Sequence, residues 1–596
     1  MLARLALAAR RPQAPRRLKV SGAGAAGVKL MWAPPRGGTK PARYLVFRDR
    51  RRIARTTRRS YVDAKVKPGT RHSYHVVAVD AKGRRSPASR LVRVRVPRPP
   101  TSPFTPAAPA GPGVPATPPP AMPELLTAAM VDRLFWRAGF GATPAQRQAW
   151  TGRPHLELVD WLLDTPPSLA PTSTPPLTGG ATPNLPIDPL ASEDELVMEW
   201  LDRMQRAVNP LPERLGFFWH RHWAVSRDDG IPAAWLVAYR NRLLRFSSLA
   251  TAPSFRTLAY EMTTLDAAMS MYLNGNQNVK GRPNENYARE FMELFCLGPK
   301  GPDGTDNYIQ ADVEGLAKAL TGWRLNSTVG SPDYGKVTFN PANFEVVAKT
   351  FLGQTIPALG RAAVAADGPA CVNRAIDVVL AHPNHAQYLV SKLWAEFIAG
   401  PIPAATLDEL CAAYTASGFA LRPVLRGILS HPLIFESIAE PNLIKPPVVY
   451  VVGVLRQLGA PLKGNYMTGA LTNMQQRPYR PPNVAGWEGG MSWLNTNTVQ
   501  GRFDAVVRAQ FLMYSNSANS YPRPARVEVD VVPGETAEAL VDRAHASIGR
   551  PWLSDGTRAA LLAYATTAAT GTVAQRRQRF YTVQALMLGG PDGQVM

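Results

Sequence analysis

Residues 284–295 read NENYAREFMELF, a run that sets three carboxylates, Glu285, Glu290 and Glu293, beside one guanidinium, Arg289. Wound as an α-helix at 100° per residue, Glu285, Asn286, Arg289, Glu290 and Glu293 share one arc of about 140°, while Tyr287, Phe291, Leu294 and Phe295 take the other side. Glu290 and Glu293 then stand on adjacent turns, where two carboxyls can serve as acid and base or hold a divalent metal ion. The same spacing also suits a solvated helix face, with Glu285 and Arg289 as an i,i+4 ion pair.

Residues 217–223, FFWHRHW, add His220 and His222. On one continuous helix these two side chains point about 200° apart, so both imidazoles do not face one ion, unlike the i,i+4 histidines of an HExxH zinc site. One is expected as a packed core residue bonded to a carbonyl, the other as a neighbour of the acidic helix. The candidate catalytic set is therefore Glu290, Glu293, His220 and His222. A third run, PPNVAGWEGGMSWLN at 481–495, is a loop by its Pro and Gly content. Its Asn483, Trp487, Trp493 and Asn495 suit stacking on a sugar or closing a pocket, and the tryptophans equally suit plugging a core. Asn286, Arg289, Asp312, Trp323, Asn483, Trp487 and Trp493 form the candidate substrate-binding set. A divalent metal is the only cofactor these residues suggest, and its identity is open. GxSxG, P-loop, dinucleotide GxGxxG, EF-hand and CxxC patterns are missing in suitable context, which removes most named enzyme classes.

The elements that must position these groups follow from length and periodicity. With 596 residues the chain exceeds one packing unit, and 45% hydrophobic with 19% charged residues excludes global disorder. No apolar run approaches the roughly 18 residues a membrane-spanning helix needs. Three widely spaced cysteines cannot build a disulfide framework. Residues 124–592 place apolar residues at a 3.6 period in segments such as 125–136, 193–206, 212–225, 254–272, 284–297, 311–323, 385–397, 446–458 and 574–588, which predicts a large mainly α-helical domain. The clearest strand-like alternation there is 526–532.

Residues 18–97 instead alternate with period two at 28–32, 44–48, 73–79 and 91–96 between Gly and Pro turns, which predicts about seven strands in a small all-β sandwich. Residues 98–123 are proline-rich and predict a stiff tether; 166–189 predict a proline-rich surface loop. Residues 1–17 form a basic tail whose apolar stretch is too short for a signal peptide. The first 100 residues hold 27 Lys and Arg against three acids, Asp49, Asp63 and Asp80, while the rest of the chain balances at 41 each, so the net charge of +24 belongs to the N-terminal module. Such a module attracts polyanions in a salt-dependent way.

The stretch SYVDAKVKPGTRHSYHVVAVDAKGRRSPAS at 60–89, with Trp32, resembles the fibronectin type III family, with His72 where that family usually has its corner tyrosine. The blocks RAGFGATP, FFWHRHWAVS, PNENYAREFMELFCLG, QADVEGLAKALTGW, KTFLG, 382–397 and PPNVAGWEGG resemble the bacterial domain-of-unknown-function family 1800 across nearly all of 124–592. This resemblance implies no established reaction. Where its members often carry a His-Asp pair before the KTFLG lysine, this chain has Phe344 and Glu345. Where they often carry a histidine before RAGFG, it has Arg133. Both departures weigh against a complete metal site.

Three functions fit these readings. The first is an extracellular or envelope-associated protein whose polar cleft acts, hydrolase-like, on a polymer or glycan while the β-sandwich holds it near anionic polymer, lipid head groups or wall material. The second is a non-catalytic binding or assembly scaffold. The third is a non-specific nucleic-acid binder resting on the arginine run at 48–59.

Overall fold

In the computed structural model the chain divides into two compact units, residues 1–111 and 112–596. The structure describes residues 12–95 and 124–596, except 25–26, 50, 58, 64, 67–69, 170–186, 251–253, 437, 439–440, 461, 463–465, 515–531, 533 and 568–571. The proline tether, most of the basic tail, most of the second proline-rich stretch and all but the last residue of the alternation at 526–532 lie outside the described residues.

Eight strands build the first unit: β1 Arg16–Gly24, β2 Gly27–Ala33, β3 Pro41–Arg48, β4 Arg51–Thr56, β5 Ser60–Asp63, β6 Arg71–Asp80, β7 Arg85–Ala88 and β8 Val92–Arg95. They form a three-stranded sheet of order β1-β2-β5 and a second sheet of order β4-β3-β6-β7 to which β8 adds through β6. Period-two alternation sends Val28, Leu30, Trp32, Tyr44, Val46, Tyr74, Val76 and Ala78 into one shared core. Trp32 meets Tyr44 edge to face at 5.5 Å, an arrangement favoured by the ring quadrupoles.

The corner is rebuilt around carboxylates. His72 Nδ1 pairs with Asp49 Oδ2 at 2.6 Å, while buried Tyr74 donates its hydroxyl to Asp63 Oδ2 at 2.9 Å. Asp63 also receives Arg48 at 2.9 Å. Tyr74 thus supplies a buried tyrosine hydrogen bond two positions beyond His72.

In the second unit, side-chain caps set the helix starts. Thr127 accepts from the Met130 N–H before Ala128–Arg137, Thr143 and Gln146 form a reciprocal capping box before Pro144–Trp150, and Ser192 accepts from the Glu195 N–H before Glu193–Arg206. The expected helix at 254–272 is two, Phe255–Thr264 and Ala267–Tyr272, because Asp266 caps the second by accepting from the Met269 N–H. Two short antiparallel ribbons, Trp323–Leu325 with Val337–Phe339 and Lys349–Phe351 with Gln354–Ile356, interrupt the helices. Leu134, Trp200, Trp219, Phe295 and Leu393 are among the residues of one large apolar core. No helix among the described residues is long and apolar enough to cross a membrane.

Candidate active site

The acidic helix starts at Asn284, whose side chain accepts from the Asn286 N–H, and runs as α-helix over Glu285–Glu290. It then widens into a π-helix over Phe291–Cys296, with the Leu297 N–H bonded to the Met292 carbonyl at 2.8 Å. Tyr287, Phe291 and Phe295 are buried against the core. The opposite face carries a polar lattice: Arg289 donates to Glu285 at 3.2 Å and to Gln310 at 2.7 Å, and Gln310 donates back to Glu285 at 2.8 Å. Asn286 is exposed beside it. Glu285 and Arg289 thus form the expected i,i+4 surface pair.

Glu290 and Glu293 are both half-buried. Tyr308 donates its hydroxyl to Glu293 at 2.9 Å, whereas the Glu290 carboxyl has no hydrogen bond among the described residues. Burial, followed by repulsion from Glu293 and partly offset by Arg289, pushes Glu290 up to about 7. A half-buried carboxyl that keeps its proton near neutrality, beside a second one held by a tyrosine, is the arrangement that separates an acid from a base.

The C-terminal end of the same helix is organised differently. The last carbonyls of a helix have no partner within it, and buried carbonyls need partners. Five consecutive carbonyls have them. Leu294 O accepts from Tyr388 at 2.8 Å and from Lys392 Nζ at 3.3 Å. Phe295 O faces His222 Nε2 at 3.0 Å, and Cys296 O faces His385 Nδ1 at 2.9 Å. Asn307 donates to Leu297 O at 2.9 Å and Gly298 O at 3.1 Å.

The predicted cleft is corrected accordingly. His220 and His222 do not face the acidic pair. His222 is spent on a backbone carbonyl, the packed-core role expected of one of the two. His220 is equally buried: its Nε2 accepts from the Tyr479 N–H at 2.9 Å, which leaves Nδ1–H to bond the Tyr239 hydroxyl at 3.0 Å, and that hydroxyl donates to Trp223 O at 2.7 Å. Burial depresses His220 to about 3, His385 to about 4 and His222 well below the ordinary imidazole value, so all three are neutral. Trp323, Trp487 and Trp493 are core residues, with Trp487 stacked on Phe217 and set edge-on to His220. Asp312 is a local tie, accepting from the Ile309 N–H at 2.8 Å and the Leu352 N–H at 2.7 Å. Asn483 is exposed and accepts from the Ala485 N–H at 2.8 Å, which shapes its own turn. Among the described residues no group of three or more His, Cys, Asp or Glu could hold a metal ion.

The departures from the family pattern have structural partners. Arg133 is buried and donates to Ile434 O and Glu436 O. Phe344 is buried under Lys349 Nζ, 4.6 Å from its ring centre, and Glu345 accepts from the Gly281 N–H at 3.1 Å.

Tyr308, Tyr388 and Lys392 escaped the sequence reading. Their signal is tertiary: Tyr388 and Lys392 sit one turn apart on Asn384–Phe397, and only the fold brings them to the π-turn. Lys392 is held down at about 7 by burial, with Arg221 adding repulsion. Arg221 lies between the two buried histidines, reaches Glu396 at 3.6 Å, and its backbone oxygen would lie 2.3 Å from a Cβ at Gly486 of the PPNVAGW loop. That contact, with Gly486 at φ +78°, explains a glycine at that position.

The fold and its tied motif blocks define a fibronectin type III-like β-module followed by a large helical body. The chain belongs to the family described as "Protein of unknown function (DUF1800)", whose model matches residues 133–595. No match was found among curated proteins. Solved structures similar to a part of the chain include titin domains A168–A170 (25% identity, 15% of this chain and 33% of that one, TM-score 0.14). Others are the fibronectin type III domain of human fibronectin type III domain containing protein 3 (18%, 15%, 88%, 0.14) and chitinase ChiA74 from Bacillus thuringiensis (21%, 15%, 14%, 0.14). The chain thus spans about a third of the length of the titin fragment.

Proposed function

We propose that the helical body is a hydrolase-like domain in which Glu290 is the general acid and Glu293 its carboxylate partner, acting on a polymer outside the cytoplasm. The basic β-module holds the protein against anionic material there. The observation that carries this reading is the Glu290–Glu293 pair, in which one half-buried carboxyl lacks a hydrogen bond and is pushed up to about 7. Tyr308 keeps the second carboxyl oriented by donating to it. In such a site Glu290 would pass its proton to a leaving oxygen while Glu293 supports charge or directs water.

The test uses the full chain on isolated cell-wall glycan, followed by release of reducing ends. Release by the native protein and its loss in Glu290→Gln are expected. Equal release, or none from either protein on wall glycan and on a panel of soluble polysaccharides, would sink the catalytic reading.

A second reading, a non-catalytic assembly scaffold, draws on the five side-chain-capped carbonyls. There the histidines of the motif blocks act as structural ties rather than as chemistry.

A further inference from the structure

The β-module contains an open depression of about 590 Å³ lined by Ala42, Arg43, Arg55, Thr56, Thr57 and Tyr61. It lies at the edge strand β4, next to β3, and reaches Tyr61 of the other sheet. The β3–β4 register sets Tyr44 opposite Thr56 and Leu45 opposite Arg55, which brings Arg43 beside the end of β4. Arg55 is exposed and Arg43 half-buried.

Neither guanidinium has a carboxylate partner among the described residues, and the module offers none to spare. Its three acids are engaged elsewhere: Asp49 by His72 and Ser73, Asp63 by Arg48 and Tyr74, and Asp80 by Thr39 and Arg84. Arg43 and Arg55 stand as diagonal neighbours on one face of the β3–β4 pair, and Thr57 and Tyr61 also line the depression. Guanidinium forks match the paired oxygens of phosphate.

We infer that this depression is a binding site for the phosphodiester groups of a polyol-phosphate polymer, with Arg43 and Arg55 as the principal ligands. A base-stacking partner is disfavoured, because Tyr61 is the only aromatic ring in the lining and it is itself half-buried. This inference rests on the attachment half of the proposed function and is independent of Glu290.

The test measures binding of the full chain to poly(glycerol phosphate) of defined length at fixed salt. Arg43→Gln/Arg55→Gln is compared with the charge-matched Arg85→Gln/Arg93→Gln, whose exposed arginines lie on β7 and β8. Loss of two charge-assisted contacts is expected to weaken binding at least about tenfold, against about twofold for the control. Arg43→Lys/Arg55→Lys, which keeps charge but removes the forks, should fall between them and guards against a folding defect. Equal losses in both Gln pairs would overturn the site in favour of diffuse charge. Tighter binding of single-stranded DNA, polygalacturonate or phosphatidylglycerol vesicles of matched charge, lost on the same two substitutions, would overturn the choice of polymer. Loss of polymer binding with intact Glu290-dependent release, or the reverse, separates a failure of this site from a failure of the catalytic reading.

Discussion

Along residues 284–298, side-chain carboxyls and backbone carbonyls meet different fates. Glu290 keeps a half-buried carboxyl without a hydrogen bond among the described residues, whereas the carbonyls of Leu294, Phe295, Cys296, Leu297 and Gly298 are each held by a side chain from elsewhere in the fold. Of the two histidines with the strongest look of chemistry in the sequence, His222 stabilises the second set and His220 is tied to Tyr479 and Tyr239. The groups that retain chemical freedom belong to the first. A buried imidazole is cheapest when neutral and bonded at both nitrogens, and His220 meets that condition fully.

The largest effects should come from a tight backbone contact at Gly315 and from disturbing the carbonyl end. Gly315→Ala would place a Cβ 2.0 Å from the Thr350 oxygen, a backbone atom that cannot step aside, and a loss of about 3 kcal/mol in chemical denaturation is expected. His222→Ala should cost a similar amount, about 3 kcal/mol, by stranding Phe295 O and leaving a cavity.

Acid should act next. His220 and His385 are neutral in the fold, at about 3 and about 4, while the unfolded chain takes up protons below its ordinary value near 6.5. The unfolded state then binds more protons, so stability should fall as pH drops below about 6.5, read as a falling midpoint of thermal unfolding. Glu290 has the opposite sign. Its raised value means the folded state holds the extra proton, so its contribution is present below about 4.5 and is lost as pH rises through about 7. Glu290→Gln should therefore leave stability at pH 4 nearly unchanged and improve it at pH 8, by at most about 2 kcal/mol after solvent screening.

The smallest effect belongs to the exposed lattice: Arg289→Ala should change stability by no more than about 0.5 kcal/mol, since a surface i,i+4 pair contributes little. A larger loss there would show that the outer face is structural too, and the contrast along the helix would blur.

Much of the fold was legible. Period-two runs at 28–32, 44–48 and 73–79 became β2, β3 and β6, and the apolar periodicity of 193–206 and 446–458 marks the helices Glu193–Arg206 and Pro447–Leu458. The site was less so. A helical wheel assumes 3.6 residues per turn, and nothing in FMELFC announces the wider π-turn or the side chains that reach the carbonyls at its end. The same wheel correctly set Glu290 and Glu293 apart from Tyr287 and Phe291, because the α-helical part precedes the π-turn. Tyr308 was invisible for another reason: it lies on a loop, and its contact with Glu293 depends on how 298–309 folds back.

The contrast depends most on the proton at Glu290. Carboxyl ¹³C NMR of the full chain, with the Glu290 resonance assigned through Glu290→Gln, measures it directly. The expected titration midpoint is about 7, falling towards the ordinary carboxyl range in Glu293→Gln as the neighbouring charge is removed. A native midpoint near 4.5, unmoved by Glu293→Gln, would mean that Glu290 is an ordinary wet carboxylate and would contradict the account.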